Sequence, residues 1–243
     1  MLFNSLVFLA FLGVCLALYA LPLPWRAKKL QLLVFSYLFY AAWNPPFVAL
    51  LAISTLVDWW VAKRMAAAEG RARRALLLVS LGVNLGLLGY FKYGGFLLEN
   101  FQRLAAAVGI DYQPPAWSIV LPVGISFYTF QTLSYTIDVY RGRLAPWGSF
   151  LDFALFVSFF PQLVAGPIVR AADFLPQCLQ PRRITADQLG WGTALLTVGL
   201  FEKVVLADTF LAPVADRVYG LAEHAGFADA WIGALAFGGQ RVL

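Results

Sequence analysis

Residues 121–143 read LPVGISFYTFQTLSYTIDVYRGR, and this stretch decides the class of the fold. No side chain is charged from Leu121 to Ile137; Asp138 follows, with Arg141 and Arg143 just beyond. Pro122 suits the first turn of a helix, where a missing N–H costs nothing. Downstream, Gln131, Ser134, Tyr135 and Asp138 recur at i, i+3, i+4 and i+7, a single polar stripe on an apolar helix. Such a helix belongs in lipid, its polar side turned to a bundle interior or a wet cavity. Two readings of the stripe stay open. It either makes interhelical hydrogen bonds, with Asp138 paired to Arg141 or Arg143, or forms the wall of a substrate tunnel.

The rest of the chain agrees. Of 243 residues, 61% are hydrophobic and 13% charged, against about 45–50% and about 25% in a soluble domain. That much apolar surface cannot be hidden in one core of this size, which excludes a soluble enzyme, a coiled coil and a disordered tail. The net charge of +5 reads as basic cytoplasmic loops and not as a nucleic-acid surface. Cys15, Cys178 and the one histidine, His224, show no metal-ligand spacing, so no metal and no bound cofactor are expected.

Charge-free windows recur at Leu2–Trp25, Leu30–Val57, Ala75–Phe91, Tyr112–Ile137 and Phe153–Val169, with a shorter one at Gln188–Phe201 and another opening at Trp231. A span needs about 20 apolar residues. The expected fold is all-α, a polytopic bundle of about six to seven membrane helices with interfacial helices besides. The first window lacks a basic leader and reads as a membrane helix rather than a signal peptide. Asn44-Pro45-Pro46 divides the second into Leu30–Trp43 and Phe47–Ala62, two short tilted spans or a re-entrant hairpin. Thirteen of the eighteen Lys/Arg, from Arg26, Lys28 and Lys29 to Arg182 and Arg183, fall inside if the N-terminus is periplasmic. Three connections look interfacial: Phe96–Val108, with Leu97, Phe101, Leu104 and Val108 on one face; the polar Ala172–Gln188; and Thr209–Ala222, with Leu211, Val214, Val218 and Leu221. Asp58 beside Trp59-Trp60, and Lys203 next to Glu202, read as interfacial anchors.

A second stretch, Ser149–Arg170, reads SFLDFALFVSFFPQLVAGPIVR. Ser149 and Asp152 resemble an N-terminal capping pair. Pro161 and then Gly166-Pro167 interrupt the helix, and Gln162 stands beside the break. Broken backbone at membrane depth survives only when buried in protein or lining a cavity. Gln162, Gly166 and Pro167 therefore join the tunnel candidates, a proline kink in a packed helix being the alternative. His224 and Asp229 have the H-x4-D spacing of some glycerolipid acyltransferases, but so short a pattern arises easily by chance, and no catalytic role is assigned to His224.

These residues resemble the bacterial branch of the membrane-bound O-acyltransferase family. The resemblance rests on Leu121–Gly142, on Phe160–Arg170 (FPQLVAGPIVR) and on Gly199–Asp208 (GLFEKVVLAD), in that order. Phe3–Leu6, Tyr37–Trp43 and Tyr90–Tyr93 add to it. It implies acyl transfer, with acetyl the expected group, across a bacterial inner membrane through a funnel in a ring of helices. An acyl donor such as acetyl-CoA or another activated carrier is expected on the cytoplasmic side. Expected partners are membrane lipid, a periplasmic acetyltransferase or export-complex proteins, and indirectly a polysaccharide acceptor such as alginate; no nucleic acid is expected. The resemblance covers the family's N-terminal part, residues 1–237. Residues 238–243 are an atypical tail that suggests a truncation or frameshift, and the segment with the family's catalytic histidine is expected beyond it. No catalytic residue is therefore expected in this chain, which alone should be inactive. A membrane scaffold docking a periplasmic partner is the alternative, and a transporter a further one.

Overall fold

The computed structural model describes residues 5–112, 120–163, 166–181, 184–220 and 226–242, and every regular element among them is helical. In chain order these are α1 (Leu6–Ala20), α2 (Trp25–Ala41), α3 (Phe47–Ala66), α4 (Gly70–Leu88), a π-helical turn (Gly89–Tyr93), α5 (Gly94–Ala107), α6 (Ile125–Tyr140), α7 (Phe150–Ser158), α8 (Phe160–Leu163), α9 (Ala171–Phe174), a 3-10 turn (Leu175–Cys178), α10 (Ala186–Phe201), a π-helical segment (Glu202–Leu211), α11 (Ala212–Gly220) and α12 (Phe227–Val242). Two compact units result, one of Ala10–Pro181 and one combining Leu2–Leu9 with Arg182–Leu243. Arg182, Arg183, Leu221, Ala222, His224 and Leu243, which entered the sequence reading, lie outside the described residues.

In the first unit the Asn44-Pro45-Pro46 break falls where expected, between α2 and α3. However, α2 begins at Trp25 rather than Leu30. Pro24 takes an extended conformation ahead of it (φ −61°, ψ 149°), and Arg26, Lys28 and Lys29 are good helix formers. Pro122 is not in a helical turn. Gly124 adopts φ 74°, a left-handed conformation that favours glycine, and α6 starts only after it. The window Ala75–Phe91 and the predicted separate helix Phe96–Val108 are one continuous helical run, Gly70–Ala107, which includes the π-helical turn. Among the described residues this is the one helix long and apolar enough to cross a membrane by length and composition; α1 is apolar but shorter.

Three helices of this unit, α3, α4 and α6, turn polar side chains inward and apolar ones outward. On α3 the buried stripe includes Ser54, Thr55 and Asp58, whereas Ile53, Leu56 and Trp60 are exposed. On α4 Ser80 and Asn84 are buried while Leu78, Val79 and Leu85 are exposed. α6 buries Gln131, Thr132 and Thr136 and exposes Phe127 and Phe130. Water would select the opposite arrangement, since a contiguous exposed apolar face is costly there. A lipid surround selects this one. α3 packs on α4, α6 and α7, and α2 on α7, α3 and α8. Leu51, Met65, Tyr128, Tyr135, Phe153 and Phe156 meet at the centre.

In the second unit Thr185 caps α10, accepting from the Gln188 N–H at 3.3 Å, while the Gln188 side chain accepts from the Thr185 N–H at 3.2 Å, a reciprocal capping box. Lys203 pairs with Asp208 at 2.6 Å. These are five residues apart, a spacing that the π-helical winding brings onto one face. Thus Lys203 is held by a partner on its own helix. α11 packs on α12, where a Cβ at Gly233 would lie 2.6 Å from the Val218 Cγ1. The close approach of the two helices requires glycine there. α12 runs through Gly238 and Gly239 without a break.

Candidate functional site

The site begins with the interrupted helix. α7 is capped as the sequence suggests, the Ser149 hydroxyl accepting from the Asp152 N–H at 3.3 Å. It stops at Ser158 because Phe159 turns out of helix with ψ 110°. Pro161 then stands in the first turn of α8, where its missing N–H costs nothing. The break frees backbone groups that need partners away from water. In an unbroken helix the Phe156 carbonyl would accept from Phe160. Instead the Phe160 N–H donates to the Ser36 hydroxyl at 3.2 Å. The Phe156 carbonyl accepts from the Gln131 and Gln162 amides, both at 2.8 Å. Two tunnel candidates therefore meet at a single oxygen. Gly166 closes the turn, donating to the Gln162 carbonyl at 3.2 Å. A Cβ on Gly166 would lie 2.5 Å from the Gln162 Cα. Pro167 is exposed.

The other members of the polar stripe diverge. Ser134 donates to the Gln131 carbonyl of its own helix at 2.8 Å. The buried Tyr135 hydroxyl accepts from the Trp147 N–H at 2.8 Å, pinning the connection that leads to α7. Asp138 makes no ion pair with Arg141 or Arg143 among the described residues, and its backbone carbonyl accepts from the Arg143 N–H at 2.9 Å. A different arginine, Arg73 of α4, holds the end of α6. Its guanidinium donates to the carbonyls of Val139 at 3.0 Å and Tyr140 at 2.9 Å.

Asp58 is corrected most. Expected as an interfacial anchor, it is 0% exposed and forms the centre of a buried network joining α3, α4 and α6. It accepts from the Ser80 hydroxyl at 2.5 Å and from the Asn84 amide at 3.0 and 2.9 Å. The Asn84 oxygen accepts in turn from Ser54 at 2.7 Å and Thr132 at 3.3 Å. A signal for it exists in the sequence: Ser54 and Asp58, like Ser80 and Asn84, are four apart, each pair a short polar stripe on an apolar helix.

At the basic end of α2, Lys29 pairs with Asp152 at 2.5 Å and donates to the Cys178 carbonyl at 3.2 Å. The same carbonyl accepts from the Trp25 indole at 2.7 Å, and Asp152 from the Trp147 indole at 3.2 Å. Burial pushes the Cys178 thiol up to about 11; the Asp152 charge adds to the rise and Lys29 opposes it. It is thus a poor nucleophile at neutral pH. Among the described residues no three His, Cys, Asp or Glu side chains gather as a metal site would require.

No protein-family model and no solved structure matches the chain, but curated proteins do. The "Probable alginate O-acetylase AlgI" of Pseudomonas putida is 42% identical over 99% of this chain and 49% of its own length. The protein of the same name from Pseudomonas aeruginosa is 42% identical over 99% of this chain and 46% of its own length. The "Peptidoglycan O-acetyltransferase" of Helicobacter pylori is 34% identical over 87% of this chain and 44% of its own length. The chain spans about half the length of these relatives, and over nearly all its residues it is homologous to the alginate O-acetylases of the membrane-bound O-acyltransferase family.

Proposed function

We propose that this chain forms part of a membrane-bound O-acyltransferase that moves acetyl groups across the bacterial inner membrane toward hydroxyls of an exported polysaccharide such as alginate. The observation that carries the reading is 42% identity, over 99% of the chain, to proteins named alginate O-acetylase. The polar-in, apolar-out helices and the break held by Gln131, Gln162 and Ser36 are consistent with walls at membrane depth. In this reading six to seven helices span the membrane with the N-terminus outside. The acyl donor, acetyl-CoA or another activated carrier, arrives from the cytoplasm, and a periplasmic acetyltransferase completes the transfer. In this reading the residues of this chain form walls, and the general base is expected in the remainder of the length that the relatives have.

The test is complementation in an alginate-producing host lacking its own O-acetylase. The chain alone should leave alginate unacetylated, and co-expression with the remaining half of the Pseudomonas putida relative should restore O-acetyl groups, read by proton NMR of the polymer. No restoration from a pair shown to reach the membrane would overturn the reading. One observation favours a second reading, a non-catalytic scaffold. The hydrogen bonds of Gln131, Ser134 and Tyr135 all go to backbone groups, as in packing.

A further inference from the structure

The end of α3, the start of α4 and the end of α6 meet at one corner of the first unit, and that corner is strongly basic. Lys63 and Arg64 stand in the last turn of α3, Arg71, Arg73 and Arg74 in the first turns of α4, and Arg141 and Arg143 just past α6. Side chains tie the three ends together. Arg73 reaches from α4 to the last carbonyls of α6. The Trp59 indole of α3 donates to the Trp147 carbonyl at 3.1 Å, anchoring the connection that carries Arg141 and Arg143. Against seven cations these segments hold two carboxylates, Glu69 and Asp138. Among the described residues none of the seven makes an ion pair, and all but Arg73 are exposed. Like charges gathered on one corner favour an anionic partner.

The neighbouring side chains say which anion fits. Arg64, Trp60 and Leu56 stand four apart on α3 and are all exposed, so they form one ladder along the helix. On α4, Arg71, Arg74 and Leu78 recur at i, i+3 and i+7, exposed as well. Lys63 lies 4.1 Å from the centre of the Trp59 ring and Arg64 5.1 Å from that of Trp60. Each helix therefore runs from cations at its end to an apolar face one or two turns deeper, with tryptophan between them on α3. Tryptophan collects at the headgroup level of a bilayer. A phospholipid has the matching order, a phosphate followed by acyl chains. A soluble phosphate or an acidic protein would leave the apolar steps of both ladders unmatched.

We propose that this corner is a docking surface for anionic phospholipid, with Arg64, Arg71 and Arg74 taking headgroup phosphates while Trp60, Leu56 and Leu78 lie along the acyl chains. An arginine fork matches phosphate oxygens, and clusters of this size just outside a membrane helix suit anionic headgroups. The docking surface rests on the membrane-spanning part of the proposed function and not on acyl transfer.

The test titrates the purified full chain in detergent micelles with phosphatidylglycerol and with phosphatidylcholine, read by native mass spectrometry. In parallel the chain is reconstituted with phosphatidylcholine vesicles and floated on a density gradient. Phosphatidylglycerol should bind more tightly than phosphatidylcholine. Arg71→Gln combined with Arg74→Gln should weaken that binding about tenfold, a few-fold from each cation lost, and leave phosphatidylcholine binding as it was. Both side chains are exposed, so the unfolding temperature should hold. Arg103→Gln, toward the other end of the same helical run and exposed, should change neither lipid. No preference for phosphatidylglycerol, or a preference that the double variant keeps, overturns the proposal; the membrane reading survives that result if the chain floats with the vesicles. A chain that does not float overturns both. Poly-glutamate bound through the same arginines, without a lipid preference, would assign the corner to an acidic protein and overturn the proposal too.

Discussion

Gln131 and Gln162 donate to one oxygen, the Phe156 carbonyl, each at 2.8 Å. They come from different helices, and the second stands just past the interruption that frees that oxygen. Each amide backs up the other, so their removal is not additive. Gln131→Leu or Gln162→Leu alone leaves the carbonyl one donor and should cost about 1 kcal/mol. The double change leaves a buried acceptor unpaired and should cost about 3 kcal/mol, more than the sum. Thermal unfolding of the detergent-solubilised variants reads the difference. A double variant no worse than additive would mean that the oxygen finds another donor. In a full-length version Gln131→Leu and Asp138→Ala should also lower acetylation while the folded protein remains, if the stripe borders the substrate path.

Asp58 makes a second prediction. Its carboxylate accepts from Ser80 and twice from Asn84, so Asp58→Ala strands two donors at the junction of three helices. The expected loss is about 3 kcal/mol. Asp58→Asn keeps an acceptor for Ser80 and should cost less. Leu56→Ala, on the exposed face of the same helix, should change stability by about 0.5 kcal/mol or less. Equal losses at Asp58 and Leu56 would contradict the polar-in arrangement.

What was legible in the sequence follows the range of the interactions. The break at Asn44-Pro45-Pro46 and the Ser149–Asp152 cap are set within four residues, and both stand where the sequence puts them. The class of the fold was legible as well, because apolar windows and prolines are local. Asp58 was misplaced because its local company, Trp59-Trp60 and Lys63-Arg64, imitates an interfacial anchor, whereas its partners stand 22 and 26 residues away on α4. The stripe on α6 marked only the edge of the buried side, since Gln131 and Tyr135 are buried while Ser134 and Asp138 are half-buried. Its target could not be read, because the Phe156 carbonyl becomes available only when Phe159 leaves the helix. Nor do Gly89–Tyr93 and Glu202–Leu211 carry any proline or cap that announces π-helical winding.

The Lys29–Asp152 pair tests how the basic end of α2 is held. Both side chains are nearly buried, at 12% and 5% exposed, so removing one strands the other. Lys29→Met should destabilise by about 3 kcal/mol. Lys29→Met with Asp152→Leu should recover most of that loss, because two apolar groups replace two desolvated charges. Unfolding temperatures of the three variants check it. Failure of the double variant to recover would show that the Lys29 bond to the Cys178 carbonyl matters more than the charge pair.

Cys178 reports on the same corner without perturbing its packing. Its thiol is pushed up to about 11 by burial, with Asp152 adding to the rise and Lys29 opposing it. The thiolate reacts and the thiol does not. In a Cys15→Ala background, the labelling rate with a small thiol reagent should therefore climb about tenfold per pH unit from pH 8 to 10, with no plateau below about 11. Replacing Asp152 by Asn removes the anion and leaves Lys29, which lowers the thiol's pKa and should speed labelling at any fixed pH in that range. The sign for stability follows: a thiol raised in the folded state favours folding fully below its ordinary value of 9.0, and that contribution is lost as pH rises from there toward about 11. Unfolding midpoints of this background should accordingly fall over that interval, and a Cys178→Ala version should lack this component. A labelling plateau near pH 9 would place the thiol in water and dissolve the tie between the 3-10 turn and α2.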